Sequence, residues 1–367
     1  MRVMTRHKLV LLVNLLVLVE TVVCFCGEER EQWLVSPKLL ERAKMELVWE
    51  TKLPLKESEH LDRLFILGDS IYALSDQNYI VSLNRGRGGL LFSRAFAPAG
   101  FTVLGIELYK DKLISVVGGR LVEIDPVSGR ELSGKTLGFG VTCPVARNSG
   151  YFYMAGADRR LRTFRAEDRV ELFEVSAENE SVITSVNAGD DYVVFATAGG
   201  NVVCITPDRP RRLWQFDAAD GIVGSVVRDE QWLFFASRDT HVYKLDITRG
   251  SPPVWKYQTE AILETAPWVT GEVVYQYVND KGVTAIDKKS GQFMWEVKHG
   301  AGLLAEAEQK AYVITQTGEL VVMDNKKRQR LYSVNFARVS RYVTNMVDSK
   351  IYIGNQSGRV VCLRPVK

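Results

Sequence analysis

Hydrophobic and polar positions along this chain recur with a long period. An apolar strand, a short polar turn and a second strand ending in an apolar residue appear eight times, as in IYALSDQNYIVSLN and VVFATAGGNVVCI. A self-similar unit of this length predicts a repeat architecture with one supersecondary unit per repeat. The closing apolar residues, at intervals of 37–41 residues, are Leu83, Ile124, Phe164, Ile205, Leu245, Ile286, Met323 and Leu363.

A second series of mostly aromatic positions runs in step with the first. Each member lies in a short strand such as RLWQF, and a further strand with a turn signal, such as VNAGDD, precedes each unit. Four strands in about forty residues is the composition of a β-propeller blade. The pattern therefore predicts an all-β fold, an eight-bladed β-propeller with four antiparallel strands per blade. The second series is Trp49, Phe92, Leu132, Phe173, Trp214, Trp255, Trp295 and Tyr332.

The two ends of the repeat region predict how the ring closes. The last unit has three strands, and an isolated strand, LVWET at 47–51, precedes the first unit. Pairing of this strand with the last unit would cover the open edge of the sheet. We expect the propeller to span 47–367, after an extension at 27–46 with a short helix from Ser36-Pro37 to about Met45. Seven blades are the alternative, if the unit around Leu132 is incomplete.

The first 26 residues differ from the rest of the chain. Basic residues precede an apolar run at 9–19 that Glu20 closes, well short of the roughly 20 residues that span a bilayer. This pattern predicts a signal peptide at 1–26 and an exported protein, periplasmic or extracellular. One alternative is an uncleaved membrane anchor, since 21–25 extend the apolar run. Another is a lipid anchor at Cys24, although TVVCFC matches a lipoprotein signal poorly.

Composition narrows the function classes. Hydrophobic residues make up 46% and charged residues 25% of the chain, as in ordinary soluble proteins. The net charge is only +3. A near-balanced charge provides no electrostatic reason to predict a nucleic-acid ligand.

Two segments, VTAIDKKSGQFMWEV at 283–297 and LVEIDPVSGREL at 121–132, closely resemble the PQQ-like propeller repeat. The resemblance covers 47–367 and implies that Trp49, Trp214, Trp255 and Trp295 dock onto the neighbouring blade. The length of the chain, its eight predicted blades and its predicted signal peptide also resemble those of the BamB-like outer-membrane assembly lipoproteins. This second resemblance implies a non-catalytic scaffold that binds protein partners in the cell envelope.

No catalytic, cofactor-binding or metal-binding residues are predicted. The chain has no adjacent cysteine pair and no CxxCH motif, and its few histidines lack metal-ligand spacing. A degenerate quinoprotein dehydrogenase and a carbohydrate- or ligand-sensing propeller remain alternatives. Cys204 and Cys362 hold the same strand position in opposite blades, too far apart for a disulfide. We therefore expect these two and Cys143 to be buried free thiols.

Strand order sorts the loops onto two faces of the predicted ring. The turn face carries the first-to-second and third-to-fourth strand turns. Its inner turns are acidic and its outer turns are basic. The charged turns either only keep the protein soluble or, in the case of the basic outer turns, dock to an acidic surface. The loop face carries the longer inter-blade loops and the second-to-third turns. We predict that a monomer binds its protein partner through aromatic and arginine side chains of the loop face. These candidates are Phe96, Phe101, Phe139, Phe336, Arg338 and Arg341.

Overall fold

The computed structural model describes residues 33–366, so the predicted signal peptide and Cys24 lie outside the described residues. Within this range the strands form eight four-stranded antiparallel sheets. The predicted eight-bladed propeller is confirmed. The seven-blade alternative is wrong, because the unit around Leu132 forms a complete sheet.

The first four blades each follow the chain from the innermost to the outermost strand. Blade 1 consists of β2 (Leu61–Leu67), β3 (Ser70–Ser75), β4 (Tyr79–Asn84) and β5 (Leu90–Ala95). Blade 2 consists of β6 (Glu107–Tyr109), β7 (Lys112–Val117), β8 (Arg120–Ile124) and β9 (Glu131–Thr136). Blade 3 consists of β10 (Ala146–Arg147), β11 (Tyr151–Ala155), β12 (Arg160–Arg165) and β13 (Glu171–Ser176). Blade 4 follows a 3-10 turn at Glu178–Glu180 and consists of β14 (Ile183–Ala188), β15 (Val193–Thr197), β16 (Asn201–Ile205) and β17 (Arg212–Asp217).

The next three blades repeat this order, and the eighth closes the ring. Blade 5 consists of β18 (Val227–Asp229), β19 (Trp232–Ala236), β20 (His241–Asp246) and β21 (Trp255–Gln258). Blade 6 consists of β22 (Trp268–Val269), β23 (Val273–Val278), β24 (Gly282–Asp287) and β25 (Phe293–Lys298). Blade 7 consists of β26 (Gly300–Ala307), β27 (Lys310–Thr315), β28 (Glu319–Asp324) and β29 (Gln329–Asn335). Blade 8 consists of β30 (Arg341–Val343), β31 (Ile351–Gly354), β32 (Arg359–Pro365) and β1 (Met45–Lys52).

Closure uses the N-terminal strand as the outermost strand of blade 8. β1 pairs with β32 over its whole length, from Met45 opposite Pro365 to Lys52 opposite Arg359. The strand therefore begins two residues before the predicted 47–51. The short helix α1 spans Pro37–Arg42 and ends earlier than predicted, because the chain must turn into this strand.

The hydrophobic core lies between neighbouring blades rather than at one centre. All five residues of β16 are buried, whereas β17, the outer strand beside it, has no buried residue. Strands covered on both faces favour continuous apolar runs, which explains the sequence pattern. The interface of blades 4 and 5, for example, packs Val202 against Leu233 and Phe235.

Helix α1 belongs to the interface of blades 7 and 8. Leu40 and Ala43 pack in one buried cluster with Val339 and Ile351. The Tyr332 hydroxyl of β29 donates a 2.9 Å hydrogen bond to the carbonyl of Ala43. The extension thus fills the gap beside the closing strand. Among residues 33–366, no helix has both the length and the apolar content to cross a membrane.

Candidate functional site

The four tryptophans of the docking series join one blade to the next. Each indole N–H donates to the turn between the third and fourth strands of the following blade. Trp49 bonds the Arg85 carbonyl at 2.9 Å, and Trp295 bonds Asn325 Oδ1 at 3.0 Å. Trp214 and Trp255 bond the carbonyls of Ile247 and Lys288 at 2.6 and 3.1 Å. The indole N–H groups of these tryptophans therefore bond neighbouring blades to one another and stabilise the ring.

Glycines in the same turns permit the aromatic side chains to approach closely. At four junctions a Cβ on the glycine would lie only 2.3–2.7 Å from the aromatic ring of the preceding blade. The glycines also have φ between +68° and +74°, a region that other residues adopt at a cost. The four pairs are Trp49 with Gly88, Phe92 with Gly129, Trp214 with Gly250, and Trp255 with Gly291.

Strand pairing corrects the docking series in blade 2. In most blades the register of the third and fourth strands shifts by one residue just before the aromatic position, so that Leu91 bulges out and Phe92 faces Ser82. In blade 2 the bulged residue is Leu132, and Ser133 takes the position opposite Glu123. Leu132 is therefore an exposed rim residue, because a β-bulge inserts one unpaired residue that spacing alone does not reveal.

The loop face holds three of the predicted aromatic side chains in different environments. Phe101 is 49% exposed and lies over the turn of blade 2. Phe96 is half-buried against the interface of blades 1 and 2. Phe139 is half-buried, stacked on Phe164 at 6.2 Å with the guanidinium of Arg162 over its ring. Of the three, Phe101 is the most available to a partner.

The remaining predicted candidates, at the entry to blade 8, are less available. Phe336 is only 1% exposed, because helix α1 and the strand of blade 7 cover it, and its assignment to an exposed surface is wrong. Arg341 is half-buried, and its Nε donates to the Leu61 carbonyl at 2.9 Å. Arg338 is exposed and bonds the carbonyl of Trp33 at 3.0 Å.

The loop face also carries exposed apolar side chains that are not among the predicted candidates. Val182, Val223 and Ile262 are 39%, 43% and 39% exposed, one in each of three successive inter-blade loops. Their intervals of 41 and 39 residues match the repeat, so the forty-residue register would have revealed them. On the turn face, strongly exposed apolar side chains stand at blades 2 and 8, as Val127, Met346 and Val347. The loop face thus carries the row of apolar side chains in register.

Acidic side chains of the inner turns on the turn face are paired within the molecule. Asp191 makes a double hydrogen bond with Arg228 at 2.8 and 2.6 Å, and this guanidinium holds the pKa of the Asp191 carboxyl below its usual value. Asp229 lies 2.5 Å from the Lys288 ammonium. These pairs link adjacent blades, so the Asp191 and Asp229 carboxylates are already neutralised by neighbouring cations within the molecule.

The innermost strands of blades 2 to 5 enclose a cavity of about 300 Å³. Its wall includes Glu107, Tyr109 and Arg147 together with the polar side chains of Ser185 and Asn187. Protein surrounds the Glu107 carboxyl, although water reaches it, and this desolvation raises its pKa. Glu107 therefore holds its proton to higher pH than an ordinary glutamate.

The three described cysteines are all free and buried. Burial raises the pKa of the Cys143, Cys204 and Cys362 thiols to about 12, so they remain protonated at neutral pH. Cys143 lies in the loop before β10 rather than within the innermost strand. Among residues 33–366, no three histidine, cysteine or acidic side chains come together as a metal site.

Eight four-stranded blades, joined by aromatic docking and closed by the N-terminal strand, define an eight-bladed β-propeller. Solved structures of this shape include BamB from Moraxella catarrhalis, with a TM-score of 0.67 and 14% identity over 87% of this chain and 97% of that chain. The computationally designed protein Ika8 is similar, with a TM-score of 0.66 and 15% identity over 85% of this chain and 98% of that chain.

Sequence comparison finds a family match in the second half of the chain. The family model described as outer membrane protein assembly factor BamB matches residues 199–367, which contain the later blades. A search of curated proteins finds no match. The chain is thus an eight-bladed β-propeller with the fold of BamB, and its residues 199–367 match the BamB family model.

Proposed function

We propose that this chain is an exported, non-catalytic scaffold that binds a protein partner in the cell envelope, in the assembly of outer-membrane proteins. The family match to an outer membrane protein assembly factor supports this role. The observation that carries the proposal is the row of exposed apolar side chains on the loop face, at Phe101, Val182, Val223 and Ile262. Exposed apolar side chains on a surface of this kind mark protein interfaces.

The row suits an extended partner surface. Val182, Val223 and Ile262 stand on the three successive inter-blade loops from blade 3 to blade 6, and Phe101 stands on the loop between blades 1 and 2. A partner that follows the ring from blade 3 to blade 6 therefore meets an apolar contact at each loop. Charged pairs flank the row, including Arg238 with Glu264 at 3.7 Å and Lys281 with Glu260 at 2.6 Å. An apolar centre with a polar rim is the usual composition of a protein interface.

Site-specific photo-cross-linking tests this proposal. A photoreactive phenylalanine analogue replaces Val182 or Val223 in the full-length protein in cells, and matched variants carry it at Val127 or Val170, in third-to-fourth strand turns of the turn face. All four positions are exposed valines. Val182 and Val223 are 39% and 43% exposed, and Val127 and Val170 are 73% and 49% exposed. We expect loop-face variants alone to cross-link a discrete cell-envelope protein, identified by mass spectrometry.

Two outcomes would count against the proposal. Equal cross-linking from the two turn-face positions would mean that the loop face is not the interface. Bound PQQ with calcium-dependent dye reduction would instead establish the quinoprotein alternative and remove the non-catalytic part of the proposal.

A further inference from the structure

The junction of blades 2 and 3 lacks both the aromatic ring and the glycine that meet at four other junctions. At those four junctions an aromatic ring of the outer strand lies against a glycine of the next turn. Here Ser133 holds the aromatic position, and Arg169 holds the glycine position with φ +60°. The equivalence of Arg169 follows from its turn, since its N–H bonds the Arg165 carbonyl as that of Gly129 bonds Asp125. Loss of both partners leaves a cavity of about 500 Å³ on the turn face.

Three cationic side chains surround a buried carboxylate at the base of this cavity. Glu123, with 5% of its side chain exposed, lies 3.0 Å from Arg147, 3.5 Å from Lys112 and 2.5 Å from Arg169. Ser133 donates a further 2.7 Å hydrogen bond to it. Desolvation opposes ionisation of Glu123, but these donors outweigh it and lower its pKa, so the carboxylate is charged. The other blades have no acidic residue at the register position of Glu123.

The structure also holds the arginines in place. The Arg147 guanidinium lies 4.5 Å from the ring centres of both Tyr109 and Phe152. The Arg169 guanidinium donates to Glu123 and to the Ser133 hydroxyl, and the Lys135 ammonium donates to the Arg169 backbone carbonyl. Side chains fixed in this way lose little conformational entropy when a ligand binds.

Positive charge exceeds negative charge around the cavity. Lys112, Arg147 and Arg169 line it with two carboxylates, the buried Glu123 and Glu167, which is exposed at the mouth. The Nε atoms of both arginines are buried without a hydrogen-bond partner. Partly desolvated cations without full compensation are costly, and an anion in the cavity would offset that cost.

We propose that this cavity binds an oxyanion, a carboxylate or a phosphate group of a ligand. Guanidinium groups match the planar or tetrahedral oxygens of such groups and form short, charge-assisted hydrogen bonds with them. The cavity opens beside the turns of blades 2 and 3, on the face opposite the apolar row. This binding site is therefore independent of the proposed partner surface, and either proposal can fail without the other.

Calorimetric titration of the full chain tests the site, with inorganic phosphate and citrate as separate probes at constant ionic strength set with chloride. We expect saturable binding of at least one probe. Arg169→Gln should weaken it by about tenfold or more, because one charge-assisted hydrogen bond is lost. The matched control is Arg165→Gln, which removes the same charge from the same turn but only breaks the pair with Asp168, 2.8 Å away.

Two further variants keep the test decisive if Arg169→Gln folds poorly. Lys112→Gln removes a more exposed cation, 36% exposed, and should weaken binding with little effect on folding. Glu123→Gln should strengthen binding, because the cavity then loses its internal anion. Binding of phosphate alone, citrate alone or both would identify the oxyanion class. No saturable binding of either probe, or equal weakening by Arg169→Gln and Arg165→Gln, would overturn the proposal.

Discussion

Replacement of Gly250 by alanine tests whether aromatic docking stabilises the ring. Gly250 has φ +74°, and a Cβ there would lie 2.3 Å from Trp214 Cε3. The left-handed backbone costs an alanine about 1 kcal/mol. Displacing a packed indole adds about 1–3 kcal/mol. We therefore expect Gly250→Ala to lower the free energy of unfolding by about 2–4 kcal/mol, measured by urea denaturation followed by circular dichroism.

Gly119 provides a matched control for this prediction. Its φ is +78°, but no atom lies within 4 Å of a Cβ built on it. Gly119→Ala should therefore cost only the backbone part, about 1 kcal/mol. In a Trp214→Leu background, the additional loss from Gly250→Ala should fall toward that of the control. Equal losses for the two glycine variants in the natural background would refute the role of the indole contact.

Three further predictions follow from the surroundings of single side chains. The three buried cysteines should resist iodoacetamide in the native protein and react after denaturation, as read by peptide mass spectrometry; rapid native labelling would contradict their burial. The pKa of Glu107 is raised in the folded state, so the unfolded state ionises first and stability decreases as pH rises through the carboxyl range. Glu107→Gln removes this loss. The urea midpoint of the variant minus that of the natural protein should therefore increase as pH rises from about 4 to 7, and a difference that does not change with pH would exclude this explanation. Phe336→Ala should cost about 3–5 kcal/mol, whereas Phe101→Ala should change stability by less than about 1 kcal/mol, and similar losses would contradict their different burial.

Much of the fold was predictable from the sequence because every blade needs the same kinds of residue at the same positions. Strands buried on both faces need apolar runs, and turns need glycine or polar residues, so both recur every forty residues. The position of the closing strand followed from counting strands. The candidate site was less predictable, since exposure depends on what lies across a loop. Phe336 follows an outer strand as the exposed loop residues do, but the helix before β1 covers it.

The sequence by itself predicted the forty-residue unit, closure through the N-terminal strand and the positions of the aromatic series, because these depend on period and hydrophobicity. The structure excluded the seven-blade alternative. Tertiary structure alone decided the register within each blade. A bulge of one residue moves Leu132 to the rim and brings Ser133 opposite Glu123. Contacts between blades then bring three cationic side chains that are far apart in the sequence close to that carboxylate. These are Lys112, Arg147 and Arg169. Such a cluster depends on strand pairing and on packing between blades, and neither leaves a periodic signal in the sequence.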